Sequence, residues 1–212
     1  DASEKKIFNN LNIEIKKNSI IGIVGSSGSG KTTFIDILVG LILRRKGSLK
    51  IDSTEIDEEN VKSYQKKFGY IPQNFYLFDS SIRQNVVIKG YNSKTTDADE
   101  DKIILEILQN LKLNKILSEK GLDTQVGENA IRLSGGQRQR LGIARILFHN
   151  KEILLLDEAT NALDKQTERE IFDLIYSFRG KKTIIISTHS VEMLNNCDEV
   201  YEIKGSNLNK IK

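Results

Sequence analysis

The sequence predicts an α/β protein: a mostly parallel central sheet with an α-helical subdomain inserted into it. Three observations carry this. Several short runs are apolar and β-branched throughout, as strands covered on both faces must be. One of them leads through a glycine loop into a run with helical spacing. Between Ser81 and Asn150 the strand-like runs give way to helical periodicity.

Taken in order, Ser19 to Val24 (SIIGIV) reads as a buried strand, and Lys31 to Leu43 (KTTFIDILVGLIL) as the helix that follows it. FGYIP from Phe68, EILLLD from Glu152 and KTIIIS from Lys182 are further buried-strand candidates. EDKIILEILQNLKLNKIL places Ile103, Ile104, Ile107, Leu108 and Leu111 on one helical face, the mark of the inserted subdomain. Asn92 to Asp101 (NSKTTDADED) is the most loop-like stretch. The expected division is 1–80 for the first part of the core, 81–150 for the helical subdomain and 151–212 for the second part of the core.

Composition narrows the class. With 212 residues, 38% hydrophobic and 29% charged, the chain can bury a substantial core. Its net charge of +3 is small, and its basic pairs are scattered among acids, so no nucleic-acid partner is expected. Cys197 is the sole cysteine, which excludes an internal disulfide and reads as a small buried side chain. No apolar run approaches the roughly 18 to 20 residues needed to cross a bilayer. His149, at the end of a helical run, is placed to interact favourably with the helix dipole.

Gly25-Ser26-Ser27-Gly28-Ser29-Gly30-Lys31-Thr32 matches G-x-x-x-x-G-K-[ST], after a strand and before a helix. In this pattern the glycines let successive N–H groups converge on one anion. Thr33 continues the loop into the helix, Lys31 reaches the β- and γ-phosphates, and the Thr32 hydroxyl ligates Mg²⁺. Ile153 to Glu158 is an apolar strand ending in two acids, which suits Asp157 to the metal shell and Glu158 to polarising a water. Together they indicate a P-loop NTPase with a Mg²⁺ site.

A second glycine site follows. Leu133-Ser134-Gly135-Gly136-Gln137 runs into RQRLGIAR and resembles the signature motif of ABC-type ATPases. The resemblance extends over nearly the whole chain. Gln73 in YIPQN stands where the family has its glutamine loop, Ala162-Leu163-Asp164 matches the D-loop, and His189 in ISTHS follows a strand as the family's switch histidine does. Asp164 is also a candidate N-cap for the helix after it.

The resemblance implies that Glu158, His189, Gln73 and Lys31 carry the catalysis, with Thr32, Gln73 and Asp157 at the metal. It implies a head-to-tail dimer in which each ATP lies between Lys31 of one copy and Ser134, Gly135, Gly136, Gln137 and Asp164 of the other. LFDSSIRQNV resembles the exporter pattern LF-x-x-[ST]-I-x-x-N, and Thr124 to Glu128 resembles the T-x-V-G-E segment that lies against an exporter's transmembrane partner. The expected protein is therefore the ATP-hydrolysing domain of an exporter on the cytoplasmic face of a bacterial inner membrane. A transmembrane domain fused upstream and a lipid-linked or other amphipathic substrate are expected with it. The alternatives are an ABC-type ATPase of DNA repair or translation, or a separately encoded transporter subunit. The adenine-stacking aromatic is expected upstream of, or at, the start of the chain.

Overall fold

The computed structural model describes residues 8, 11–42, 46–88, 98–127 and 133–212. In chain order the elements are β1 (Ile20–Val24), α1 (Lys31–Val39), β2 (Lys50–Ile51), β3 (Thr54–Glu55), α2 (Val61–Gln65), β4 (Phe68–Ile71), β5 (Ser80–Ser81) and α3 (Ile82–Val87). Then follow α4 (Ala98–Asn110), a 3-10 turn at Asn114–Ile116, β6 (Gln125–Val126), α5 (Gly135–Phe148), β7 (Ile153–Asp157) and α6 (Lys165–Tyr176). The last are β8 (Thr183–Ser187), α7 (Val191–Leu194), β9 (Glu199–Lys204) and β10 (Asn207–Lys210). The chain divides into two compact units: residues 1–68, 152–158 and 178–212 form one, and 69–151 with 159–177 form the other.

The first unit is built on a sheet in the order β10-β9-β1-β8-β7. β1 pairs in parallel with both β8 and β9, and β7 in parallel with β8, while β10 returns antiparallel to β9. The α/β class with a mostly parallel sheet is thus as the sequence predicts. Ile20, Ile21, Ile23, Leu154, Leu155, Leu156 and Ile184 to Ile186 are all buried, because a parallel strand covered on both faces has no polar side to show. The helix predicted to reach Leu43 ends at Val39: Gly40 takes the left-handed conformation at φ 76° and closes it. A Cβ on Gly40 would also fall 2.7 Å from Val61 Cγ2 of α2, whose Tyr64 hydroxyl donates to Leu38 O at 2.6 Å. Cys197 is buried beneath Gly22, as its apolar character predicts.

The second unit is mainly helical. Ile104, Leu108 and Leu111 are buried, but Ile103 is exposed, so the apolar face of α4 is narrower than its spacing predicts. Asp99 to Asp101, expected in a loop, form the first turn of α4. Three acids there complement the positive end of the helix dipole; residues 92–97 lie outside the described residues. The two exporter-like segments meet in one small antiparallel sheet, with Ser80 opposite Val126 and Ser81 opposite Gln125. Ser81 caps α3 in a reciprocal box with Gln84. Asn85, fully buried, accepts from Phe78 N at 2.8 Å and donates to Phe78 O at 2.9 Å.

His149 stands at the end of α5 as its C-cap; burial first, then the charges of Lys151 and Arg145, lower its pKa.

Candidate functional site

The phosphate loop joins β1 to α1 in the first unit. Gly25 must lack a side chain, since a Cβ would lie 2.5 Å from Ser29 Oγ and 2.8 Å from Ile203 O. Gly30 sits at φ 102° as the N-cap of α1 and supplies no side-chain cap. The first-turn N–H groups are therefore not taken by a capping side chain, which is what an anion site at a helix start requires. Ser26, Ser27 and Gly28 are exposed along the loop, Ser29 N bonds to Ser26 O at 3.1 Å, and Thr32 is exposed on the first turn with Thr33 half-buried beside it.

Lys31 is buried and reaches back over the loop. Its Nζ donates to Gly25 O at 2.8 Å and lies 3.5 Å from Glu158 Oε1. His189 Nε2, at the end of the segment after β8, lies 3.0 Å from the same oxygen. One carboxylate oxygen thus faces both the Lys31 ammonium and the His189 imidazole. Glu158 itself sits at φ 49°, in the left-handed region that a long L side chain rarely adopts, and its N–H donates to Ser187 O at 2.9 Å. Backbone strain of this kind gathers at functional positions.

Asp157 ends β7 directly before it, opposite Ser187 of β8. Burial raises its pKa above the ordinary 3.8; Ser187 and Lys31 pull it down, while the negative charges of Glu158 and Asp36 push it up. Asp157 Oδ2 and Ser187 Oγ are buried without completing a hydrogen bond. A buried carboxylate oxygen left open beside a hydroxyl suits Mg²⁺, which binds through few protein oxygens plus substrate phosphates. Ser187 was not singled out from the sequence; its strand-end position matching that of Asp157 was the available signal.

The remaining residues lie in the second unit. Gln73 is exposed just past β4. Ser134 is the N-cap of α5 in a full capping box: its Oγ accepts from Gln137 N at 3.2 Å, and Gln137 Oε1 accepts from Ser134 N at 2.9 Å. Gln137 therefore has a structural task at the signature turn, and Gly135 and Gly136 open the helix between them. Asp164 caps α6, accepting from Thr167 N at 2.9 Å, and that bond more than any other group holds its carboxyl below the usual range. Of the T-x-V-G-E segment, Thr124 and Val126 are buried, Thr124 Oγ1 donates to Gly121 O, and Glu128 lies outside the described residues.

Comparison with known proteins agrees with this geometry. The sequence profile described as ABC transporter matches residues 8–161. The ATP-dependent lipid A-core flippase of Pasteurella multocida is 32% identical over 207 residues, covering 96% of this chain and 34% of the flippase. A bacterial Atm1-family ABC exporter with ATP bound superposes with TM-score 0.85 at 30% identity, over 98% of this chain and 36% of the exporter chain. A dimeric ATP-binding cassette in a post-hydrolysis state with ADP and Pi gives 0.80 at 28% identity, over 97% of this chain and 91% of the cassette. The chain spans about a third or less of the length of curated relatives such as the flippase. With the strand–glycine loop–helix, the Asp157-Glu158 strand end and the Ser134 signature turn all in place, the chain belongs to the ABC transporter family as an ATP-binding, ATP-hydrolysing domain of the exporter type.

Proposed function

We propose that this domain hydrolyses Mg·ATP between two copies arranged head to tail and so drives an exporter joined to it through a transmembrane domain upstream. The observation that carries the reading is Glu158: an acid held at φ 49° at the end of a buried strand, with Lys31 and His189 converging on one oxygen. The loop from Gly25 to Thr33 wraps the phosphates with main-chain N–H groups, and Lys31 neutralises them. Glu158 accepts the proton of the attacking water, and His189, 3.0 Å from that carboxylate, orients it and faces the γ-phosphate. Thr32, Gln73 and Asp157 would hold Mg²⁺, which would supply positive charge to offset that of the phosphates. From the facing copy, Ser134 and the helix start at Gly135 and Gly136 close on the γ-phosphate, with Gln137 bracing the turn and Asp164 flanking it. In this reading the core comprises 1–80 and 151–212, and 81–150 is the helical signature subdomain.

The Ser80–Ser81 and Gln125–Val126 sheet, which unites the two exporter-like segments, supports a transmembrane partner there. The flippase among the relatives supports a lipid-linked or other amphipathic substrate and a site at the cytoplasmic face of a bacterial inner membrane. The test is Glu158→Gln. Phosphate release is expected to fall by about 10² to 10⁴, the usual worth of a general base, with ATP binding retained. An unchanged rate removes Glu158 from the mechanism.

A further inference from the structure

We propose that Gln139 is a positioning residue for hydrolysis: it pins the turn that follows Glu158 to the first turns of the signature helix α5. The inference rests on reading Glu158 as the base. Gln139 lies in the RQR run, where a solvated helix face is the ordinary expectation, yet it is half-buried and its Oε1 accepts from the main-chain N–H of Ala162 at 3.0 Å.

The contact surface around that bond is tight. A Cβ on Gly135 would come within 3.2 Å of Ala162 Cβ, and one on Gly136 within 3.1 Å of Leu163 Cδ2 and 3.2 Å of Ala162 O. The signature glycines are therefore needed for the approach of the 160–163 turn within their own unit as well as for an open helix start. The turn is closed by Leu163 N donating to Thr160 O at 3.0 Å and tied to α6 by Thr160 Oγ1 donating to Glu168 at 2.9 Å. The bond from Gln139 ties the same turn to α5, the helix capped by Ser134.

Ala162 stands only four residues beyond Glu158 along the chain. A residue at φ 49° keeps that conformation when both flanks are held. On one side the β7–β8 register holds Asp157; on the other, the turn anchored by Gln139 fixes the outgoing chain.

The experiment compares Gln139→Met, which keeps the length but removes the acceptor, with Gln139→Glu, which keeps the acceptor, in the protein that carries this chain. Gln139→Met is expected to lower kcat about tenfold, with KM for ATP within about twofold and the melting temperature unchanged; Gln139→Glu is expected to stay within about twofold of the parent. Hydrogen exchange at Ala162 N–H should quicken in the methionine variant only. Parental kcat in Gln139→Met, or a joint loss of kcat, ATP affinity and melting temperature, overturns the proposal. Glu158→Gln assayed alongside separates the two readings: if it is inactive while Gln139→Met is normal, only the positioning role falls, whereas an active Glu158→Gln removes the base itself.

Discussion

Asp157 shows how one residue trades stability for a ligand. Its folded pKa is raised above 3.8, chiefly by burial. The folded state thus holds its proton to higher pH than the unfolded chain, and stability falls as pH rises from 3.8 through the raised folded value. Asp157→Asn removes that penalty. Without nucleotide the variant should melt above the parent at pH 7, with the difference vanishing in acid below 3.8. With Mg·ATP the order should reverse, because the parent carboxylate then gains a cation that the amide cannot hold. Differential scanning calorimetry at two pH values checks this; a variant melting below the parent at pH 7 without nucleotide would show the carboxylate already compensated.

At the scale of elements, the segment between Gln73 and the end of α3 is held by side chains more than by regular structure. Asn85 satisfies both main-chain groups of Phe78 and donates to Ser81 O at 3.1 Å. Arg145 of α5 donates to Asn85 O at 2.9 Å and lies over the rings of Phe75 and Phe78. Gly142 of the same helix leaves room for Phe75, since a Cβ there would fall 2.7 Å from the ring. The asparagine of the exporter-like pattern is thus a buried polar staple. Asn85→Ala leaves buried partners unpaired and should cost about 1 to 3 kcal/mol in urea unfolding. A loss below that range would mean that water replaces the amide.

For the molecule as a whole, the question is what the second glycine site serves. Ser134 Oγ accepts from Gln137 N within the chain; in the proposed dimer its hydroxyl and the N–H groups of Gly135 and Gly136 would meet the nucleotide held by the facing copy. Light scattering should show association on adding Mg·ATP to the Glu158→Gln protein, where hydrolysis no longer dissolves the pair, and none with ADP. Ser134→Arg should abolish association and turnover together. A Ser134→Arg protein that still associates and hydrolyses normally would refute the shared site. A membrane domain would raise the effective concentration of the two halves, so the isolated chain should need more protein to respond.

The phosphate loop, the acid pair at the end of β7, the signature turn and the α/β class were legible in the sequence because each depends on local rules: glycine freedom, helix starts and uniformly apolar strands. β9 was not, since EVYEIK mixes two glutamates and a lysine into six residues and becomes a sheet strand only through its parallel pairing with β1 and the cover of β10. The early end of α1 and the exposure of Ile103 likewise depend on neighbours: Gly40 must turn beside α2, and α4 buries only the residues its partners reach. The convergence of Lys31 and His189 on Glu158, the open oxygen of Asp157 beside Ser187, and the bond from Gln139 to Ala162 join residues distant in the chain. Residue type and local spacing select which groups can do chemistry, but strand register and packing decide which of them meet, because those depend on every element at once.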